Sequence, residues 1–222
     1  MFTNIMHGGS ALVVSADIDN LDLASYVEGG QLNITLVINS GITIGSTVNT
    51  TACIYSSVAT TPSISTIRIV NKGTIKGCNG SGGKGALPGA AATVGGRGCT
   101  CIALSAAIIL NTSIGTITGG GGGGGGGGPV GQFAGGGAGF PPGAQVFGTG
   151  PGTSQYGFAA GGIPNNPSVA GYGGDCNGLG LAGEAGTKSG GKAGGDIGYA
   201  INTSGGSIVI LGGAANIIGD QV

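Results

Sequence analysis

Asp17, Asp19 and Asp22 stand in a D-x-D-x-x-D spacing, which could offer carboxylate oxygens to a calcium ion. A calcium loop of that kind also needs a glycine at its sharp turn and a distal glutamate, and both are missing, so a solvated turn is the better reading. Cys99 and Cys101 form a C-x-C, but no second pair lies at ligand spacing and the single histidine, His7, is remote in the sequence. One histidine in a short N-terminal stretch cannot readily serve a nucleophilic triad built on the chain's many serines. The ten glycines from Gly119 to Gly128 match a phosphate-cradling pattern trivially, yet Pro129 follows them where such a loop would open a helix. No enzymatic activity, metal or cofactor is therefore expected. The five cysteines, Cys53, Cys78, Cys99, Cys101 and Cys176, are expected to be mostly reduced thiols, since no secretion signal is visible at MFTNIMHGG.

What remains is recognition. Phe133, Phe140, Phe147, Tyr156, Phe158 and Tyr172 lie among prolines in a glycine-rich background and are the candidate binding residues, at the tips of loops between extended stretches. Aromatic tips give a large contact area, and small Ser, Gly and Asn neighbours add adaptable hydrogen bonds. The competing reading makes these rings buried spacers between glycine layers.

The elements that must hold such loops are strands. LVINSGITIG (36–45), RIVNKGTIKG (68–77), IILNTSIGTITG (108–119) and AINTSGGSIVILGG (200–213) each read as strand, Asn-led turn, strand. Alternation is visible in Ile34, Leu36 and Ile38, and in Ile67 and Ile69 around Arg68, as one buried face requires. The anchoring residues Asn39, Asn71, Asn111 and Asn202 are unequally spaced, so glycine-rich excursions of growing length should leave a repeated scaffold.

Composition agrees with a packed rather than a floppy chain. Of 222 residues, 56 are Gly and 8 Pro, which alone would suggest disorder. Only 7% are charged and mean hydropathy is +0.37, whereas disordered chains are polar and charged. No charged residue occurs between Gly98 and Gly174. The formal net charge of −1 leaves no basic stripe for nucleic acid, and no apolar run reaches the roughly 18–20 residues of a membrane-spanning helix.

Ordering ten glycines carries an extra cost on the order of 5–10 kcal/mol. An extended threefold helix offsets it if neighbours approach through the missing side chains and hydrogen-bond laterally. The segments 78–98, 134–143, 171–186 and 186–198 are rich enough in glycine to be those neighbours. The strict Gly-X-Y period of collagen is absent.

The succession LNITLVINSGITIGS, STIRIVNKGTIKGCNGSGGKG and ALSAAIILNTSIGTITGGGGGGGGGG resembles the glycine-rich distal modules of tailed-bacteriophage tail fibre and tail-tip proteins, over about residues 12–222. In glycine-rich architecture it is similar to the small adhesins that cap long tail fibres of T-even-like phages, whose polyglycine helices form a sandwich displaying variable loops. The N-terminal half is unlike the fibre-attachment domain of those adhesins, which favours a homotrimeric fibre tip. The resemblance implies an all-β fold: strand-turn-strand repeats, β-helix or β-sandwich-like, followed by packed polyglycine II helices. The divisions expected are 1–30, an N-terminal attachment segment; 31–118, the β-repeat domain; 119–196, the receptor-binding region; and 197–222, closing strands. The function implied is adsorption of a virion to a host surface glycan or outer-membrane protein, with other tail proteins as partners and assembly in the host cytoplasm. A purely structural fibre segment and an ice-binding protein are the alternatives.

Overall fold

The computed structural model describes residues 5–6, 11–26, 33–57, 65–129, 131–145 and 148–222. The chain is all-β: fifteen short strands and two single 3-10 turns make up its regular structure among these residues. In chain order the strands are β1 (Ile5–Met6), β2 (Ala11–Val14), β3 (Ile18–Asp19), β4 (Leu21–Asp22), β5 (Asn33–Ile38), β6 (Thr43–Gly45), β7 (Ile54–Tyr55), β8 (Thr66–Asn71), β9 (Thr74–Lys76), β10 (Ile102–Ala103), β11 (Ala107–Asn111), β12 (Thr116–Thr118), β13 (Ile201–Asn202), β14 (Ile208–Gly212) and β15 (Ile217–Ile218).

They wind as a coil with three faces. The first sheet runs β1-β2-β5-β8-β11-β14, the second β3-β6-β9-β12-β15 and the third β4-β7-β10-β13. Every pairing is parallel except that of β1 with β2. Each turn of the coil lays one strand on each face, and residues 11–22 form the first turn, paired directly with the second.

In-register parallel pairing stacks like side chains in columns. Ile34, Ile67 and Ile108 form one, Leu36, Ile69 and Leu110 another, both on the first face. Ile44, Ile75 and Ile117 fill the second face and Leu21, Ile54, Ile102 and Ile201 the third, all buried. Branched side chains suit such ladders because they are stiff and pack on the pleat. Arg68, between Ile67 and Ile69, faces out, as the alternation requires. One column ends in a polar residue: Asn71 is buried, its Nδ2 donating to Thr112 Oγ1 and the Thr116 carbonyl, its Oδ1 accepting from the Gly73 amide. A buried carboxamide is tolerated because it is satisfied.

Asn202 belongs to a different corner from the other anchoring asparagines. Asn39, Asn71 and Asn111 sit where the first face turns into the second, whereas Asn202 ends β13 on the third face and turns the chain back to β14 on the first. Its Oδ1 accepts from the Ser204 amide and hydroxyl, just as Asn111 serves Ser113. The same local turn chemistry occurs at two unlike corners.

Two excursions leave the coil between its second and third faces, 77–101 and 119–200. Gly119 to Gly128 is entirely buried among them. Its hydrogen bonds repeat every three residues. Gly120, Gly123 and Gly126 donate to Cys99, Gly96 and Thr93; Gly122, Gly125 and Gly128 donate to Leu181, Glu184 and Thr187; Gly124 and Gly127 donate to Ala138 and Gly135. The carbonyls turn to other segments. Those of Gly121, Gly124 and Gly127 accept from Gly80, Gly83 and Ala86, those of Gly120, Gly123 and Gly126 from Gly198, Gly195 and Lys192, and those of Gly125 and Gly128 from Gly174 and Gly171. A strand in a sheet has two neighbours; this rod has six, and all of its amides and most of its carbonyls are met laterally, the Gly121 amide by Asn79 Oδ1. A β-carbon on any of the ten glycines would overlap backbone of a neighbouring segment.

The cysteine expectation needs one correction. Cys78 and Cys99 form a disulfide, while Cys53, Cys101 and Cys176 are free and buried. The bridged pair sits where the rods 78–86 and 93–99 begin side by side, the Cys99 amide donating to the Cys78 carbonyl at 2.8 Å. The Cys53 thiol is held well above its usual range by Cys101 beside it and by burial, and Cys176 is raised by burial. Raised, enclosed thiols are poor nucleophiles.

Candidate functional site

The rods give the excursions two ends. Near the coil, Gly119 bonds to Ile218 and Gly180; at the far end, Gly128 bonds to Thr187 and Gly171. At the far end lie residues 87–92, 129 and 131–133, 145 and 148–149, 163–170 and 187–191. They touch one another. The Gly131 amide donates to the Leu87 carbonyl at 3.4 Å, Gln145 Nε2 to the Ile163 carbonyl at 2.9 Å, and Lys188 Nζ to the Ser168 carbonyl at 3.4 Å. Thr149 and Ile163 exchange backbone hydrogen bonds in an isolated bridge.

Between these loops lies a cleft of about 290 Å³, lined by Gln132, Phe133, Asn165, Asn166, Val169 and Ala170. Its rim is exposed and partly apolar, with Phe133 40% and Val169 45% accessible. One wall is preformed. Asn166 Oδ1 accepts from the Ser168 amide and hydroxyl, and the Asn166 carbonyl accepts from the amides of Val169 and Ala170. This Asx-type turn fixes the loop before anything binds. Ala170 and Ala134 are buried beneath it with Ala86 and Ala92.

At the near end a second cleft of about 290 Å³ is lined by Asp17, Ile18, Asp19, Thr43, Lys76, Gln155 and Tyr156. Its polar groups serve the protein itself. Asp17 accepts from the Thr43 amide at 2.8 Å. The Tyr156 hydroxyl donates toward the Ser46 carbonyl (3.2 Å) and Asp19 Oδ1 (3.4 Å) and accepts from Gln155 Nε2 (2.8 Å). Lys76 Nζ stands 4.2 Å from the ring centre. Burial first, then the Asp19 charge, push the Tyr156 phenol up to about 12. Asn79, fully buried, completes this anchor: its Nδ2 donates to the Ser154 and Gly157 carbonyls and its Oδ1 accepts from the Gly121 amide. It holds the 153–158 loop to the glycine rod.

The five aromatic candidates among the described residues are thus spread over both ends. Phe133 lines the far cleft, and Tyr172, 40% exposed, lies one step below the far end, where its amide donates to Thr187 Oγ1. Phe140, Tyr156 and Phe158 belong to the near-end turns: Phe140 is half-buried, Tyr156 is bonded inward and Phe158 is 62% exposed. Phe147 lies outside the described residues. The aromatic criterion passed over Gln132, Asn165 and Asn166, since isolated carboxamides make no pattern along a chain. Of the three aspartates, Asp22 caps the 3-10 turn at Leu23–Ser25 and binds Ser57, so the acidic spacing builds corners of the coil. Among the described residues, no three His, Cys, Asp or Glu side chains gather at a possible metal position.

Comparison with known proteins bears on this arrangement. A family model described as phage tail fibre adhesin Gp38 matches residues 10–222. Among solved structures, the crystal structure of the gp37-gp38 adhesin tip complex of the bacteriophage S16 long tail fiber contains a chain of similar fold, with a TM-score of 0.57 and 20% sequence identity over 96% of this chain and 82% of that one. No curated protein matches the sequence.

Proposed function

The chain belongs to the phage tail fibre adhesin Gp38 family, and from that premise we propose that it is the virion's receptor-binding tip, meeting the host surface with the loops at the far end of its glycine rods. The observation that carries this reading is an exposed, preformed cleft between two of the far-end loops, at the end of a layer in which every amide of the ten-glycine rod is engaged. Rigid support beneath adaptable loops lowers the ordering cost of binding.

The rods themselves are read as polyglycine II helices. A repeat of three residues, with donors and acceptors pointing in six lateral directions, is the hydrogen-bond pattern that helix allows and a β-strand does not. At about 3.1 Å per residue, ten glycines carry the loops about 30 Å from the coil. The β-coil is left to face the fibre, as a partner for another tail protein. Its three faces close within one chain, so packing supplies no reason for the homotrimer that the sequence resemblance implies. A purely structural segment would give its far-end cleft no occupant, and ice binding needs a flat exposed glycine face where this rod is enclosed on all sides.

The test is competition: purified chain, preincubated with host cells, should block adsorption of the parent phage in a saturable way. Adsorption unaffected at saturating chain would overturn the reading.

A further inference from the structure

We propose that the far-end cleft is a subsite for one uncharged pyranose ring of a host surface saccharide; this rests on the receptor-binding reading and names the ligand chemistry of its central cleft. The argument starts from what lines it. Gln132, Asn165 and Asn166 supply three carboxamides, Phe133 an aromatic face, and Val169 and Ala170 an apolar wall. A pyranose presents the matching set: ring hydroxyls that each donate and accept, and a face of C–H groups that packs on an aromatic ring. A carboxamide carries one acceptor oxygen and two N–H donors, so it can engage neighbouring hydroxyls with either end.

These carboxamides are available. The side chains of Gln132 and Asn165 make no hydrogen bond to protein among the described residues, and Asn166, whose Oδ1 is held by Ser168, keeps its Nδ2 for a ligand. In the near-end cleft, by contrast, Asp19, Gln155 and Tyr156 bond to one another or to Ser46.

Charge narrows the class. No lining residue of the far cleft is ionisable, and Lys188 on a neighbouring loop gives its Nζ to the Ser168 carbonyl, so a carboxylate or phosphate entering the cleft would lose water with no charged lining group to compensate. Sialic acids and phosphorylated core sugars are disfavoured, and a neutral hexose is not. Size narrows it further. About 290 Å³ is at the small end for ligand pockets, fitting a single ring better than an extended peptide.

The test uses the full chain and saturation-transfer NMR with methyl α-D-glucopyranoside, methyl α-D-galactopyranoside and methyl α-D-mannopyranoside, with N-acetylneuraminic acid as the charged comparison. At least one neutral glycoside should receive saturation, strongest on the protons of one ring face. Phe133→Ala and Asn165→Ala, both exposed positions, should weaken that binding about tenfold each, as expected for loss of one ring contact or one paired hydrogen bond, and Asn165→Ala should leave thermal melting unchanged. Transfer to none of the glycosides, equal transfer in both variants, or equal transfer to N-acetylneuraminic acid would each overturn the assignment. Binding of labelled chain to host cells separates this from the underlying reading. Cell binding that survives both variants overturns the sugar subsite and leaves the adhesin role intact; glycoside transfer without any cell binding supports the subsite and removes the adhesin role.

Discussion

The amide of Gly123 donates to the carbonyl of Gly96 at 2.9 Å, antiparallel rods held so close that no side chain fits between them and their neighbours. A β-carbon on Gly123 would overlap the Ser81 carbonyl oxygen, and one on Gly124 the Gly174 carbonyl oxygen. Backbone cannot swing aside as a flexible side chain would. Gly123→Val or Gly124→Val should therefore exceed the usual ~1–3 kcal/mol of overpacking. Thermal melting and limited proteolysis should find the 119–200 region unfolded, and a melting temperature within a degree or two of wild type would mean that the run is loose.

The Cys78–Cys99 bond closes a loop with a sequence separation of 21. A loop of that length stabilises by about 3 kcal/mol in the chain-entropy account. Alkylation in denaturant without reductant should add three labels, at Cys53, Cys101 and Cys176, and five after reduction. Cys78→Ser should lower the melting temperature and leave Cys99 open to a fourth label; five labels without reductant would exclude the bond.

Much of the coil was legible because its signal is periodic. Ile34, Leu36 and Ile38 alternate over a strand long enough for the period of two to register, and so do Ile67 and Ile69 around Arg68. The third face was not, since β4, β7, β10 and β13 are each two residues long and no period fits in two residues. Without that face the corner at Asn202 looked like the corner at Asn39. The glycine run could be read as a packed rod from the cost of ordering it, but its partners could not be assigned, because any glycine segment can be any other's neighbour. Cys78 and Cys99 meet only once two such rods are registered. At the site, Phe133 stood out by type, while Asn165 and Asn166 gain their meaning only from the turn that brings them beside it.

Asp22 predicts an acid-sensitive corner. Burial alone would raise its carboxyl, but the Ser57 hydroxyl, the Ser57 amide and the Ala24 amide together hold it below the usual range. A depressed carboxylate contributes stability that is present above the ordinary value near 4 and is lost as pH falls through the folded one. Asp22→Ala should cost about 1 kcal/mol at pH 7, in line with other caps. Urea unfolding at falling pH should show that difference shrinking below about pH 4; a constant gap would mean the charge is not involved.

Tyr156 has the opposite sign. Its phenol is raised to about 12, so the neutral form is favoured in the folded chain. Its contribution is complete below the ordinary value of about 10 and declines as pH rises through 12. Tyr156→Phe should lose about 1 kcal/mol at pH 8 through its hydrogen bonds to the Ser46 carbonyl and Gln155. Paired melts from pH 8 to 11.5 should converge above about 10, and parallel curves would remove the phenol from the anchor.

The placement of the aromatics separates binding from scaffolding. Phe133 opens into the far cleft, whereas Tyr156 fastens the 153–158 loop to the coil by bonds to Ser46 and Asp19. Phe133→Ala removes a partly exposed ring from the wall of the far cleft, so adsorption per folded molecule should fall several-fold. Tyr156→Ala should do the reverse: it opens a gap at the anchor and lowers the melting temperature, yet the folded fraction still presents the far-end loops and should adsorb normally per active molecule. Phage carrying each variant, normalised to particles by genome count, would give both numbers in one adsorption assay beside a melting curve of the purified chain. Equal loss of adsorption per folded molecule in the two variants would mean that the near end also meets the host, and the far-end assignment would fall.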